Sequence, residues 1–395
     1  MPYKILYIAN VRHRITEDVN RGMLLKLNWL VGHTDYECYW AMTGKQEKQM
    51  AQSELLRPEV SIVRLDVEEY PTIGQASRVE KLVRSWKWRR EYKSGLAKVY
   101  RKYAPDIVVT TLKHKNDILY ATIGKGINVV EMLTDEDQLF LAEENIGTFS
   151  NRLMAYLWRV YRMSSIYRRL KKIQVIVVPS DGLVNKWKGN LSCVLHIPTP
   201  LSDIPDSISD GEAKQVMAVG TFDDERNFEQ LLWGWRRLVA VYPEWKLRVY
   251  GSGDPSSFVE LLKKLKMSRC VKYSPIPANL DMAYRQASIY VQDVRFDPQG
   301  YGLMEAMSYG LPCIASDAPY APRDIISDGV NGFLSPEGHS MDFSIKLGLI
   351  MRKASLRKKM GEEAHSTSKE YHLDKIMPRW KQLFDDVILS MKKKK

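Results

Sequence analysis

The sequence predicts an α/β protein with two successive doubly wound domains. Short β-rich apolar runs alternate with amphipathic segments, and this alternation stops at one acidic segment and then restarts. The length of 395 residues fits two domains of roughly 150–200 residues better than it fits one core. An apolar content of 45% and a charged content of 27% exclude disordered and fibrous proteins.

The first half contains a series of strands separated by helical segments. The expected strands are Lys4–Ala9, Tyr36–Ala41, Val60–Leu65, Asp106–Leu112, Asn128–Leu133, Val175–Pro179 and Val194–Pro198. Because the segments between them have helical periodicity, we expect consecutive strands to be parallel and joined by helices. Residues 1–200 are therefore the expected N-terminal domain.

A turn-rich, acidic segment at 201–213 separates the halves and predicts an interdomain linker. The alternation restarts in residues 214–372, which form the expected C-terminal domain. Its expected strands are Gln215–Phe222, Lys246–Tyr250, Val271–Ser274, Ile289–Val294 and Pro312–Ser316. The final residues, 373–395, are expected to form a helix that ends in a lysine tail.

Basic charge is concentrated in the first half. Residues 1–200 carry 31 Lys and Arg against 21 Asp and Glu, whereas residues 201–395 carry 28 against 26. Two expected helices, Arg78–Lys102 and Asn151–Lys172, are rich in bases and contain Trp and Tyr. Such helices can bind an anionic membrane surface, although a solvated basic face over a core stripe is the alternative for each. We expect an anionic membrane surface as a partner and no nucleic acid, because no recognition motif accompanies the bases.

Cysteine spacing and hydropathy predict a cytoplasmic protein. Cys38, Cys193, Cys270 and Cys313 form no CxxC pair, which disfavours a zinc cluster and a disulfide framework. The apolar run near the amino terminus is too short for a signal peptide. No run approaches the roughly 18 apolar residues that a membrane-spanning helix needs.

The segment 297–312, with the sequence DPQGYGLMEAMSYGLP, predicts a nucleotide-sugar site. A strand ends in a glycine-containing loop and a helix begins near Gly302, so that backbone amides and the helix dipole point at an anion. Glu305, expected in the first helical turn, can accept hydrogen bonds from a ribose diol. Asp297, in the loop, can reach sugar hydroxyls. The alternative is a helix N-terminus decorated by acids.

Two neighbouring strands end in loops on the same edge of the sheet, where open α/β sheets bind ligands. One strand runs into Gly220, Thr221 and Arg226, and the other runs into Gly251 and Gly253. A hydroxyl, a guanidinium and a glycine turn at this edge suit a phosphorylated ligand. Any tight turn would also explain the lone GxG.

In this order the motifs resemble those of glycosyltransferase family 4, whose members are retaining enzymes of the GT-B fold. The resemblance covers about residues 215–385 and includes two acids separated by seven residues, Asp297 and Glu305, followed by Gly310-Leu-Pro. It implies two Rossmann-like doubly wound domains facing across a cleft, with residues 373–395 returning to the N-terminal domain. Thr221 stands where the family has arginine, and Asp297 stands where glutamate is usual. The first half resembles the family only in its alternation of strands and helices.

The resemblance and the strand positions together give the expected site residues. The expected catalytic residues are Asp297, Arg226 and His114. The expected donor-binding residues are Glu305, Gly220, Thr221, Gly251, Gly253, Ile276, Gly300, Tyr301, Gly302 and Leu303. The expected acceptor-binding residues are Arg12, His13 and Asp135. His114 follows a strand on the edge expected to face the cleft, and an exposed loop histidine is the alternative.

The resemblance implies glycosyl transfer from a nucleoside-diphosphate sugar to a hydroxyl of a saccharide or lipid-linked acceptor, with retention at the anomeric carbon. No metal or other cofactor is expected. We expect a hexosyltransferase-type enzyme of bacterial cell-surface polysaccharide biosynthesis, peripheral on the inner face of the cell membrane. Two alternatives remain open: a nucleotide-sugar 2-epimerase of the same fold, and a non-enzymatic nucleic-acid-binding protein.

Overall fold

The fold contains two parallel β-sheets, each with helices in its strand connections. The structure is a computed structural model that describes residues 2–9, 18–51, 55–67, 78–113, 126–134, 164–189, 191, 193–222, 228–277, 279–293 and 297–393. The strands are β1 Lys4–Ile8, β2 Glu37–Thr43, β3 Ser61–Leu65, β4 Ile107–Leu112, β5 Ile127–Met132, β6 Val175–Val178, β7 Val194–His196, β8 Gln215–Thr221, β9 Lys246–Ser252, β10 Val271–Pro275, β11 Ile289–Gln292, β12 Cys313–Ser316 and β13 Gly332–Ser335.

Helices occupy most of the connections between these strands. They are α1 Asp18–His33, α2 Gly44–Ala51, α3 Arg78–Tyr103, α4 Asp181–Trp187, α5 Glu229–Leu238, α6 Ser256–Lys264, α7 Asp281–Arg285, α8 Tyr301–Ser308, α9 Ala321–Ile325, α10 Ser340–Arg352, α11 Ala354–Ser368 and α12 Leu373–Lys392. Residues 164–170 are also helical. No helix in the described ranges is both long enough and apolar enough to cross a membrane.

The first sheet has the strand order β3-β2-β1-β4-β5-β6-β7, and all its pairs are parallel. All six residues of β4 are buried, as expected for a central strand covered on both faces. Helix α3 packs the side chains of Trp88, Tyr92, Leu96 and Val99 into the core beside this sheet. The sequence prediction of a parallel α/β domain is confirmed here.

The second sheet has the order β10-β9-β8-β11-β12-β13, again with parallel pairs. Each strand expected in the two sheets is present, with bounds within two residues of the expected ones. Strand β13, a four-residue strand beside β12, was not predicted from the sequence, because so short a run carries little periodicity. The strand order reverses between β8 and β11, which makes their carboxyl ends the switch point where open α/β sheets bind ligands.

The chain divides into two compact units whose boundaries differ in detail from the expected ones. The first unit is Met1–Pro179, Leu183–Pro200 and Ile376–Lys395, and the second is Ser180–Gly182 with Leu201–Lys375. Residues 201–213, expected as a linker, belong to the second unit. Leu201 is buried and its amide donates to the Tyr371 carbonyl, while Ser209 donates its hydroxyl to the Ala287 carbonyl. These contacts fix the segment against its own unit.

Within the first unit, the C-terminal helix α12 contacts α1 beside a buried ion pair that joins α1 to β5. The Lys26 ammonium contacts the Glu131 carboxylate at 2.5 Å, and both side chains are almost completely buried. The same ammonium lies 4.5 Å from the centroid of the Trp380 ring. A desolvated cation is therefore held by one carboxylate and one aromatic face.

Candidate active site

The candidate site lies at the carboxyl edge of the second sheet, around the switch point between β8 and β11. Parallel pairing brings Gly220 of β8 opposite Gly251 of β9, and Gly251 opposite Pro275 of β10. Strand β11 lies on the other side of β8 and leads towards α8. The expected donor-binding residues that the structure describes are thus gathered at one edge of one sheet.

Helix α8 begins at Tyr301, and the residue before it explains how the loop turns into the helix. Gly300 has a φ of 64°, in the left-handed region that side chains other than glycine rarely adopt. A Cβ atom there would also lie 2.4 Å from Cδ1 of Ile325. Both the backbone conformation and the close approach therefore require glycine at this position.

The first hydrogen bond inside α8 runs from the Met304 amide to the Gly300 carbonyl, at 2.9 Å. The amides of Gly302 and Leu303 precede it and have no carbonyl acceptor within the helix. Together with the positive end of the helix dipole, these amides suit a phosphate group. The predicted roles of Gly302 and Leu303 are thus chemically feasible, and they stay predictions.

Asp297 holds the loop before α8. Its Oδ1 accepts hydrogen bonds from the amides of Gln299, at 3.1 Å, and Gly300, at 2.8 Å. Its Oδ2 accepts a hydrogen bond from Nε2 of Gln292, the last residue of β11, at 2.5 Å. The carboxylate therefore ties the loop to the end of the strand, whichever contact it makes with a substrate.

Glu305 lies in the second turn of α8, so the expectation that it occupies the first turn is wrong. The helix begins one residue earlier than Gly302, and no acidic residue lies in its first turn. Oε2 of Glu305 accepts a hydrogen bond from the hydroxyl of Tyr284, at 3.2 Å. The Tyr284 ring is buried and stacks on Tyr309 with the centroids 5.0 Å apart.

Burial and the neighbouring Glu305 carboxylate raise the pKa of Tyr284 well above its usual value. The phenol therefore remains protonated throughout the neutral range and keeps donating its hydrogen bond. A carboxylate whose position is fixed in this way is a suitable hydrogen-bond acceptor for ligand hydroxyls. The arrangement suits recognition of a diol.

The glycine at the end of β9 is explained by packing. A Cβ atom on Gly251 would lie 2.3 Å from Cε2 of Phe222, the residue that follows β8. Thr221, the last residue of β8, donates its hydroxyl to the Ser252 carbonyl at 3.4 Å. Gly253 follows β9 in the next turn.

Ile276, another expected donor-binding residue, follows β10 and is 39% exposed. Its place next to the end of β9 puts an exposed apolar side chain on the same edge as the glycine turn. It could pack against the flat face of a nucleobase.

Three polar residues that organise this edge were not predicted from the sequence. Gln292 and Tyr284 hold the two acids, and Asp293 is a buried carboxylate that accepts hydrogen bonds from the Leu231 amide and the Ser316 hydroxyl. The sequence does contain a signal for Gln292 and Asp293, because they are two consecutive polar residues at the end of an apolar strand. Tyr284 carried no such signal.

Five expected site residues lie outside the part of the chain that the structure describes. They are Arg12, His13, His114, Asp135 and Arg226. Their predicted catalytic and acceptor-binding roles stay predictions. Among the described residues, no group of three or more His, Cys, Asp and Glu side chains is arranged to hold a metal ion.

Comparison with known proteins matches the second unit to a family of glycosyltransferases. Residues 202–367 match the family model described as "Glycosyl transferases group 1". An uncharacterized glycosyltransferase of Haemophilus influenzae is 25% identical over 227 residues, which are 56% of this chain and 64% of that protein. The amylovoran biosynthesis glycosyltransferase AmsD of Erwinia amylovora is 27% identical over 184 residues, which are 46% of this chain and 50% of AmsD. The matches therefore span between half and just under two thirds of these relatives.

Solved structures extend the similarity in fold to nearly the whole chain. Sucrose-phosphate synthase from Thermosynechococcus elongatus superposes with a TM-score of 0.76 at 15% identity, covering 98% of this chain and 100% of that one. Anabaena Alr3699/HepE, solved in complex with UDP and glucose, gives a TM-score of 0.70 at 12% identity, covering 97% and 99%. The two Rossmann-like domains of this chain are therefore those of the GT-B fold.

Proposed function

We propose that the protein is a glycosyltransferase that binds a nucleoside-diphosphate sugar at the carboxyl edge of its second sheet. The observation that carries the proposal is the arrangement of α8, in which amides without helical acceptors lie one turn before a carboxylate that Tyr284 holds in place. The amides suit the diphosphate and Glu305 suits the ribose diol. The family match over residues 202–367 supports the same substrate class.

In the proposed reaction, the bond between the anomeric carbon and the diphosphate oxygen breaks, and a bond to the acceptor oxygen forms. The acceptor hydroxyl loses a proton, so the products are a glycoside, a nucleoside diphosphate and a proton. Negative charge develops on the leaving diphosphate, where the α8 amides and the Arg226 guanidinium would stabilise it. Membership of family 4 implies retention at the anomeric carbon, and both remain part of the proposal.

For the acceptor we propose a hydroxyl of a saccharide or lipid-linked saccharide, in bacterial cell-surface polysaccharide biosynthesis. The support is the relative named for amylovoran biosynthesis. A hexose is the proposed sugar, and UDP is the first nucleotide to test because HepE was solved with UDP and glucose.

Calorimetric titration with UDP, GDP, ADP and dTDP tests the donor site directly. We expect one nucleotide to bind, and Glu305→Gln to weaken its binding by about tenfold or more, since a hydrogen bond to a charged acceptor contributes about 1.5–3 kcal/mol. Glu260→Gln, on the exposed surface of α6, is the matched control and should bind normally. Unchanged affinity in the Glu305 variant would refute the ribose contact.

Turnover separates transfer from the alternatives. Arg226→Ala should lower turnover by about 100- to 1000-fold while the protein stays folded, because a cation beside the leaving group acts mainly in the transition state. Consumption of the nucleotide-sugar by isomerisation, without any acceptor, would instead identify a 2-epimerase. Normal turnover in a folded Arg226 variant would remove Arg226 from the proposed mechanism.

A further inference from the structure

Helix α3 of the first unit has one face in the core and an unusual composition on the other. Its buried stripe is formed by Trp88, Tyr92, Leu96 and Val99. At 3.6 residues per turn, these residues lie within roughly 80° of the helix circumference. The opposite side therefore faces away from the core of the first unit.

Two large apolar side chains lie on this outward side. Val83 is 58% exposed and Trp86, three residues later, is 64% exposed. The Arg90 guanidinium lies 5.8 Å from the centroid of the Trp86 ring, one turn further along. The exposed tryptophan and valine together form an apolar patch on the surface, and contiguous exposed apolar patches often mark interaction sites.

Basic side chains surround this pair. The exposed bases of α3 are Arg84, Lys87, Arg90, Lys93, Lys98, Arg101 and Lys102. The acids of the helix are Glu80 and Glu91, and Glu91 pairs with Lys87 at 3.9 Å. The outward face thus combines an apolar centre with a strong surplus of positive charge.

We propose that this outward face of α3 binds the surface of an anionic lipid bilayer. Trp86 and Val83 would enter the interfacial layer, where an indole ring is favoured, while the bases lie at the level of the anionic headgroups. Charge complementarity selects this occupant, because the surplus on α3 would repel a basic partner and anionic lipid gives a continuous negative surface. The proposal goes beyond donor binding, and its test needs no donor or acceptor.

Vesicle flotation tests the electrostatic part. The 395-residue chain should float with vesicles containing phosphatidylglycerol and remain unbound with pure phosphatidylcholine vesicles. Binding should fall sharply in 1 M salt, where the screening length shrinks to about 3 Å. Equal binding to both vesicle types, or binding to neither, would overturn the proposal.

Charge reversal localises the effect to α3. The quadruple variant Arg84→Glu, Lys87→Glu, Arg90→Glu and Lys93→Glu should lower the partition coefficient by about 100-fold or more, since each base near the surface contributes about fivefold. The control reverses four exposed lysines of the second unit: Lys263, Lys264, Lys358 and Lys359. An equal loss in the control would show that net charge, and not this face, drives binding, and would overturn the proposal.

Removal of the apolar pair tests insertion separately from charge. Val83→Ser with Trp86→Ser should lower binding by about tenfold or more and leave the helix charge unchanged. The matched control is Met341→Ser with Ile345→Ser on α10, whose exposures of 57% and 64% are close to the 58% and 64% of Val83 and Trp86. If light scattering instead shows that the α3 variant dissociates a dimer, the face is a contact between copies of the chain and the proposal fails.

Discussion

Substitutions of Asp297 can separate its structural role in the loop before α8 from a role in catalysis. Replacement by alanine removes the acceptor for the amides of Gln299 and Gly300 and for Nε2 of Gln292. Gln292 is 4% exposed, so its amide group would lose a partner that water cannot easily replace. An unsatisfied buried group costs about 1–3 kcal/mol and hydrogen bonds to a charged group contribute about 1.5–3 kcal/mol. We expect a loss of about 2–4 kcal/mol, because the partly exposed Gln299 amide regains water.

Asp297→Asn should behave differently, because its side-chain oxygen still accepts from both loop amides. Its new NH₂ group would face Nε2 of Gln292, and a rotation of the Gln292 amide resolves this conflict. After that rotation Oε1 of Gln292, which is buried with no hydrogen-bond partner in the described structure, accepts from the new NH₂ group. The expected cost is therefore about 1 kcal/mol or less.

Calorimetric melting of the two variants measures these costs. About 2–4 °C per kcal/mol is expected for a domain of 150–250 residues, so alanine should lower the melting temperature of the second unit by roughly 4–16 °C and asparagine by less than about 4 °C. Equal destabilisation by the two substitutions would refute the hydrogen-bond argument. Turnover of the asparagine variant then tests the charge: a catalytic carboxylate predicts a large loss of turnover in a stable protein, and normal turnover would leave Asp297 a loop-holding residue.

Three further predictions concern the contacts around the two cores. Tyr284→Phe should retain the stacked ring but weaken nucleotide binding by up to about tenfold, because Glu305 loses the hydrogen bond from the Tyr284 hydroxyl. Calorimetric titration measures this loss. Between pH 6 and pH 9 the titration of the wild type should show no pH dependence from this phenol, because burial raises its pKa. Lys26→Met should lower the free energy of unfolding in urea by about 3–5 kcal/mol, because it leaves the Glu131 carboxylate buried without Lys26. Adding Glu131→Leu should restore most of the lost stability. Gly251→Ala should cost about 1–3 kcal/mol by overpacking, measured by the same unfolding assay.

The strands could be predicted because each is a local pattern. Runs such as Ile107–Leu112 consist of residues that are apolar or β-branched, and the structure buries every residue of that strand. The start of α8 was predicted to within one residue because a strand followed by a glycine-containing loop indicates where the next helix begins. Glu305 was predicted in the first turn but lies in the second, because the helix begins one residue earlier than predicted.

The partners of the site residues could not be predicted in the same way, because they are set by the tertiary fold. Tyr284 and Glu305 are 21 residues apart, and Lys26 and Glu131 are 105 residues apart. No local pattern links such pairs, and a lysine in an amphipathic helix is expected on the solvated side. Lys26 is buried because α12 packs beside it and places the Trp380 ring over its ammonium.

The glycines of the candidate site show why a motif match and a mechanism need separate evidence. Gly251 was predicted to bind the donor, yet the structure gives it a sufficient reason to be glycine in the ring of Phe222. Loss of activity in a Gly251 variant would thus follow from disturbed packing whether or not the backbone contacts a phosphate. Glu305 differs, because its side chain is partly exposed on α8 and its carboxylate accepts a hydrogen bond from Tyr284. A substitution there would remove the proposed ligand contact without opening or overfilling the core, so Glu305 and not the glycine turn is the residue on which the proposed donor site should be judged.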